Sequence, residues 1–199
     1  MKTLTIIFLL INLAFASTSI YNIKSDEKEI GTLSVQTKTL ANNQRKYKTH
    51  LKIDVDAFIF SYHLEYKENA LFDEKGLLSF KVEESEDGKK RSMSAKRENN
   101  KLLFANGKEI LLTQIDTTPF DMEEIFPYIH NEDKAFTLKS FDALTGELLD
   151  NSYKILESTQ HYRVEKQNSK DNEIEFMTLS KAGKLLKVEG SDFEMILRK

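Results

Sequence analysis

The sequence predicts an all-β, mainly antiparallel fold: a curved sheet, half-barrel or barrel-like, with one short helix as a lid. Three observations carry this. Residues 47–82 alternate apolar and polar side chains, turn signals rich in Gly, Asn and Asp recur along the chain, and only residues 119–127 carry helix-start chemistry. In the first stretch Tyr47, Thr49, Leu51, Ile53 and Val55 alternate with Lys48, His50, Lys52, Asp54 and Asp56. Beyond Ala57, the set Phe58, Phe60, Tyr62, Leu64 and Tyr66 alternates with Ile59, Ser61, His63, Glu65 and Lys67. A period of two makes one face of a pleated strand apolar and sends the other to water.

The first residues read as an export signal. Lys2 supplies a basic start, Leu4 to Phe15 is almost wholly apolar, and Ala14-Phe15-Ala16 has the small-x-small form of a cleavage site. About a dozen apolar residues fall short of the ~20 that span a bilayer, which favours a cleaved signal over a membrane anchor. Cleavage is expected after Ala16, leaving residues 17–199 as a single antiparallel β domain in the periplasm or another extracytoplasmic space. The chain has no cysteine, which excludes disulfides, a thiolate metal site, a cysteine nucleophile and lipid attachment through cysteine. Its 29 basic against 32 acidic side chains lack the basic excess that nucleic acid requires.

The elements follow in order. Ile20 to Asp26 and Glu29 to Thr39 form an opening hairpin, with Gly31 marking a bulge or a close backbone approach. The turn Asp73-Glu74-Lys75-Gly76 leads to a returning strand that carries Leu78, Phe80 and Val82 on the apolar face. Residues 89–98, KKRSMSAKRE, read as an edge or solvated strand, since lysine-rich edges discourage strand addition. Short strands follow at Leu102 to Phe104 and Ile110 to Leu112. Thr118 is a candidate N-cap, Pro119 suits the first helical position, Asp121, Glu123 and Glu124 complement the helix N-terminus, and Pro127 is expected to stop the run. Strands resume at Phe136 and close with a hairpin of Leu185 to Glu189 and Phe193 to Arg198. About ten to twelve strands in all are expected, with each half of the chain able to form a curved sheet of its own.

Three stretches stand out together: Glu29-Ile30-Gly31-Thr32, the hairpin from Phe72 to Leu78, and the pairing of Asp142-Ala143-Leu144-Thr145-Gly146 with Lys181-Ala182-Gly183-Lys184-Leu185-Leu186. With these the chain resembles a family of uncharacterised exported bacterial β-rich proteins that carry a domain of unknown function. Its members share an early isoleucine-glycine, a D-x-x-T-G turn and a late D-x-x-G-R-L hairpin. Ser180 and Lys184 stand where the family tends to Asp and Arg, and Phe176 and Met177 fall near its usual Trp-Tyr. The resemblance implies a long curved antiparallel sheet similar to the half-barrels of lipoprotein carriers, and no catalytic residues.

No zincin, nucleophile-elbow, Walker or dinucleotide motif occurs, and no motif implies a cofactor. His63 and Glu65 share one strand face with His50 and Lys52 within reach, which suggests a carboxylate-oriented base or half a metal site. A solvated mixed-charge face is the ordinary reading of such neighbours. Asp54, Asp56 and Asp73 could surround Ca²⁺ but lie in no dense loop.

The aromatic face is the strongest functional feature. It reads either as the wall of a filled core or as a ligand surface, and the hydroxyls of Tyr62 and Tyr66 favour a wall beside water. The expected function is therefore a non-enzymatic periplasmic protein that holds a hydrophobic or lipid-like ligand on the concave side of its sheet. Leu51, Ile53, Val55, Phe58, Phe60 and Tyr62 would line that side, together with Leu64, Tyr66, Phe80 and Val82. Phe120 and Phe126, within 119–127, would gate it. An envelope interaction or scaffolding protein with a filled core, using its exterior or an edge strand to bind an envelope partner, is the alternative. An enzyme built on His63 and Glu65 is the third reading.

Overall fold

The computed structural model describes residues 16–40, 42–57, 60–120, 122–131, 134–157, 159–170 and 172–198. The expected export signal therefore lies, up to residue 15, outside the described residues. The first half holds β1 (Ala16–Ser25), β2 (Lys28–Thr39), β3 (Arg45–Ala57), β4 (Phe60–Asp73), β5 (Gly76–Glu86), β6 (Lys89–Glu98), β7 (Lys101–Phe104) and β8 (Glu109–Leu111). A 3₁₀ turn at Met122–Ile125 runs into helix α1 (Phe126–Asn131). The second half holds β9 (Ala135–Phe141), β10 (Leu148–Glu157), β11 (Tyr162–Asn168), β12 (Ile174–Leu179), β13 (Leu185–Glu189) and β14 (Glu194–Leu197).

The fold is all-β, as expected, but the two halves do not form separate sheets. All fourteen strands join one antiparallel sheet in the order β8-β7-β6-β5-β4-β3-β2-β1-β14-β13-β12-β11-β10-β9. The seam is the pairing of β1 with β14, with Tyr21 opposite Leu197 and Ile23 opposite Met195. Inside the sheet the Tyr21 hydroxyl donates to the Leu185 carbonyl at 3.2 Å and so ties β1 to β13 across β14. The strand total exceeds the expected ten to twelve, the shortest strands being β8, with three residues, and β7 and β14, with four each.

The hairpin of β1 and β2 contains both features expected at Gly31. Ile23 faces Gly31 while Lys24 faces Glu29, so Ile30 is an extra, bulged residue. A β-carbon on Gly31 would lie 2.2 Å from the Lys52 carbonyl oxygen of β3, a distance that only glycine avoids. The bulge bends β2, and bending begins to curl the sheet.

Curling brings its two ends together without closing it. Phe141 of β9 lies 5.8 Å from Phe104 of β7 and 5.7 Å from Phe80 of β5, ring centre to ring centre. β8 and β9 do not pair. Instead the chain leaving β8 turns along β9, where the Asp116 and Thr117 amides both donate to the Lys139 carbonyl, at 2.8 and 3.1 Å. The Lys139 amide donates in turn to Asp116 Oδ2 at 2.8 Å. The open edge of β9 is thus capped at Lys139 rather than extended by another strand.

One expectation is narrowed and another corrected. Of the two alternatives for the charged strand, β6 is the solvated one: residues 89–92 are exposed, but the strand is internal, between β5 and β7. Its Lys89–Met93 stretch nevertheless runs past the short β7, which pairs only with Ala95–Glu98, so one side of that stretch is a solvated edge. The helix also begins later than expected. Thr118 does not cap it: its amide and hydroxyl both donate to Glu124 Oε2, at 2.6 and 3.0 Å, because Pro119 and Phe120 first make a turn that carries Phe120 into the aromatic cluster. Asp121 lies outside the described residues. Pro127 does not end the helix but is its second residue, where the missing amide hydrogen would have had no helical partner.

Buried side chains form two clusters. One centres on Tyr21, Leu138, Val164, Leu179 and Val188, with Ile125 and Ile129 of the helical segment. The other centres on Phe72, Phe80, Val82, Leu102, Phe104 and Phe141.

Candidate functional site

Between the two clusters the concave side of the sheet encloses a cavity of about 860 Å³. Leu51 and Ile53 of β3 and Leu33 and Val35 of β2 form one wall. Tyr153, Met177, Val188 and Met195 of the second half form the facing wall. At one end the cavity meets Ser17 and Thr18 of β1 together with Met122 and Glu123 before α1; at the other it meets Asn168, Glu175 and Phe193. Ser17, Thr18, Met122, Glu123, Glu175 and Phe193 all keep solvent exposure, so the cavity reaches water.

The helical segment is fixed over one end. Glu123 Oε1 accepts the Leu185 amide at 3.1 Å, Ile125 and Ile129 are buried, and the Phe126 ring meets Tyr162 edge-on at 5.9 Å. It covers the end where the β12–β13 turn lies and leaves the middle of the concave face unfilled.

The expected lining residues divide into four groups. Leu51, Ile53, Tyr66 and Phe120 line the cavity. Phe80 and Val82 point to the same side but are 3% and 0% exposed inside the second cluster, so they are packed core rather than ligand wall. Phe126 likewise packs against the first cluster and does not line the cavity. Val55 and Tyr62 share the inward phase of β3 and β4 but lie toward the hairpin tip, beyond the last β2–β3 pair at Ile53; Leu64 stands opposite Ile53, and all three stay off the cavity wall. Phe58 lies outside the described residues. Phe60 is paired in register with Ala57, and its side chain lies outside the described set.

The two tyrosine hydroxyls find partners in the protein. Tyr62 donates to Glu86 Oε1 at 3.2 Å and Tyr66 to Glu68 Oε2 at 3.4 Å. Burial, with the nearby Glu68 carboxylate adding to it, pushes the Tyr66 phenol far above its ordinary value and keeps it a donor.

The expected set missed the β2 wall residues Leu33 and Val35, the whole facing wall of Tyr153, Met177, Val188 and Met195, and, among the polar groups, Glu68. It is only 4% exposed, lies on the cavity wall, and accepts the Thr49 hydroxyl at Oε1 at 3.2 Å as well as Tyr66 at Oε2. A signal for it exists: in the inward series Tyr62, Leu64, Tyr66, Glu68, Ala70 and Phe72, one acid stands in an apolar phase. Other polar side chains on the wall are Asn151, whose amide donates to Ser140 Oγ at 2.8 Å, and the Lys166–Glu175 ion pair at 2.8 Å.

The outward face does not pair His63 with Glu65 but gives each of His63 and His50 a different carboxylate. His63 Nδ1 lies 3.0 Å from Asp54, while Glu65 pairs with His50 at 2.9 Å and Lys67 at 2.8 Å. Antiparallel register sets the first of these, since Asp54 faces His63 directly, whereas His50 stands opposite Lys67 and reaches Glu65 diagonally. Asp73 is at the far end of β4, in an ion pair with Arg97. No group of three or more acidic or histidine side chains able to hold a metal occurs among the described residues. Among them, too, no helix is long and apolar enough to cross a membrane.

Comparison with solved structures places the fold. The chain is similar to a crystal structure of a beta-barrel-like protein of a domain of unknown function, DUF1849, from Brucella abortus, with a TM-score of 0.66 at 15% identity. The match covers 91% of this chain and 94% of that one, and at this identity it bears on fold alone. No curated protein matches the chain in sequence. The model of an uncharacterised family matches residues 21–197, from Tyr21 at the seam to its partner Leu197, and the chain belongs to that family, described as Domain of unknown function (DUF6134).

Proposed function

We propose that the protein is an exported, periplasmic, non-enzymatic binding module that holds a lipid-like ligand on the concave side of its sheet. The observation that carries this reading is the cavity of about 860 Å³, walled by apolar side chains from both halves and left unfilled by the one short helical segment. Small-molecule sites usually occupy roughly 300–1,000 Å³ with mostly apolar walls and a few placed polar groups. Each buried methylene of an acyl chain would contribute about 0.8 kcal/mol, enough for a fatty chain to be held without a covalent anchor. Cleavage after Ala16 fits this reading, since the family match begins only at Tyr21.

Native mass spectrometry of gently purified mature protein tests the proposal. The expected result is an apolar adduct on a chain that starts at Ser17. Leu51→Trp, which fills the cavity from β3, should remove the adduct while leaving the thermal midpoint in place. An adduct-free protein that also fails to take up a fluorescent fatty-chain probe would end the carrier reading.

The alternative is an envelope interaction protein, favoured by one feature, the solvated edge of β6 at Lys89–Met93. The basic side chains there would select an acidic partner surface.

A further inference from the structure

The uncharged polar groups of the cavity wall bear on what kind of head a ligand carries into it. Asn151 of β10 stands opposite Leu138 on β9 and Asn168 on β11, in the inward phase it shares with Tyr153. It lines the cavity and is only 4% exposed. Its side-chain amide donates to Ser140 Oγ at 2.8 Å, a bond between two buried groups, and its carboxamide oxygen accepts from no described residue. Among the described residues no fully buried side-chain nitrogen or oxygen lacks a partner. That oxygen must therefore border accessible space, which on this side of the sheet is the cavity. A carboxamide has two donor hydrogens and an oxygen with two lone pairs. Whichever way it is turned, Ser140 holds one end and the other is open. Asn168, beside it on the wall, accepts the Lys170 amide at 2.8 Å, and its own side-chain amide donates to no described residue. The charged side chains of the neighbouring wall, Lys166 and Glu175, are paired with each other at 2.8 Å.

We propose that Asn151, with Ser140 and Asn168, is the head-group station of the cavity, taking an acyl chain with an uncharged, hydroxyl-bearing head of the monoacylglycerol kind in preference to a chain with an ionic head. This rests on the carrier reading above. A hydroxyl both donates and accepts, which matches an open carboxamide oxygen beside open amide donors. An ionic head would instead leave water for a wall whose fixed charges already neutralise each other, and burying a charge without a partner is far costlier than burying a hydrogen-bonded hydroxyl. A bare hydrocarbon is disfavoured too, since it would leave the carboxamide desolvated and unpaired. The apolar wall of Leu33, Val35, Leu51 and Ile53 takes the chain whatever the head, so the head alone decides the preference.

The test compares monolauroylglycerol, laurate and dodecyltrimethylammonium on the mature protein by isothermal titration. Wild-type protein is expected to bind the glyceride at least about tenfold more tightly than either ion. Asn151→Leu keeps the side-chain volume and removes the carboxamide. It is expected to weaken the glyceride about tenfold, the loss of one or two net hydrogen bonds, while shifting each ion less than about threefold. Should Asn151→Leu fail to fold, Asn151→Ala takes its place with the same selective loss expected. Either ion binding as tightly as the glyceride in the wild type overturns the proposal and leaves the carrier reading intact. So does a glyceride affinity unchanged in the folded variant, or an equal loss for all three probes, which would make Asn151 a matter of cavity shape. If none of the three binds, the carrier reading falls and the head-group station with it.

Discussion

The Phe126 ring occupies the space that a β-carbon on Gly183 would need: the ring carbons lie 2.6 Å from that position. Gly183 also has φ of +83°, in the left-handed region that L side chains disfavour. One glycine thus seats the start of α1 against the β12–β13 turn. Gly183→Ala should cost about 1–2 kcal/mol from the backbone alone, and displacement of the ring adds to it. Adding Phe126→Ala should relieve the steric part, so the double variant should lose less stability than the two single losses summed. Thermal unfolding of the four proteins checks this, and strict additivity would argue that ring and turn are independent.

Filled core and cavity wall should answer differently to truncation. Leu179, at 0% exposure inside the first cluster, should lose about 2–5 kcal/mol on change to alanine. Leu51, half-buried against an existing void, should lose less than half as much, since no comparable new cavity is made. Urea titration gives both numbers. Equal losses would show that the concave side is filled in solution.

Acid should loosen the hairpin of β4 and β5. The Arg97 guanidinium beside Asp73 holds its carboxyl below the ordinary 3.8, helped by the Lys75 amide. A carboxyl group with a depressed folded pKa contributes stability above its unfolded value, here near 3.8, and loses it as pH falls further through the folded value. Asp73→Asn should therefore lower stability at pH 7 but have little effect at pH 2. Melting temperatures across pH 2–7 check the sign. A larger penalty in acid than at neutrality would refute the assignment.

The seam should be indispensable. Removing residues 193–199 takes away β14, which pairs with both β1 and β13, and exposes two strand edges at once. The shortened chain is expected to aggregate on size-exclusion chromatography. A soluble monomer with unchanged melting would mean that β1 and β13 can do without it.

The sequence by itself determined the class of fold and most of its elements. Side-chain alternation along a strand is a local property, so the inward phase of Leu51, Ile53 and Tyr66 could be read directly, and turn residues such as Gly76 and Gly183 marked where the chain reverses. The same locality explains what was missed. Phe80 and Val82 carry the inward phase as plainly as Leu51 does, and only the approach of Phe104, Phe120 and Phe141 from distant strands makes their neighbourhood core. Nor could alternation tell that Tyr21 would meet Leu197, 176 positions away, and merge two halves into one sheet. Which inward residues face a void and which face one another depends on how far the sheet curls. That curl follows from register shifts such as the Ile30 bulge and from the packing of the two ends, which are relations between strands that no single strand encodes.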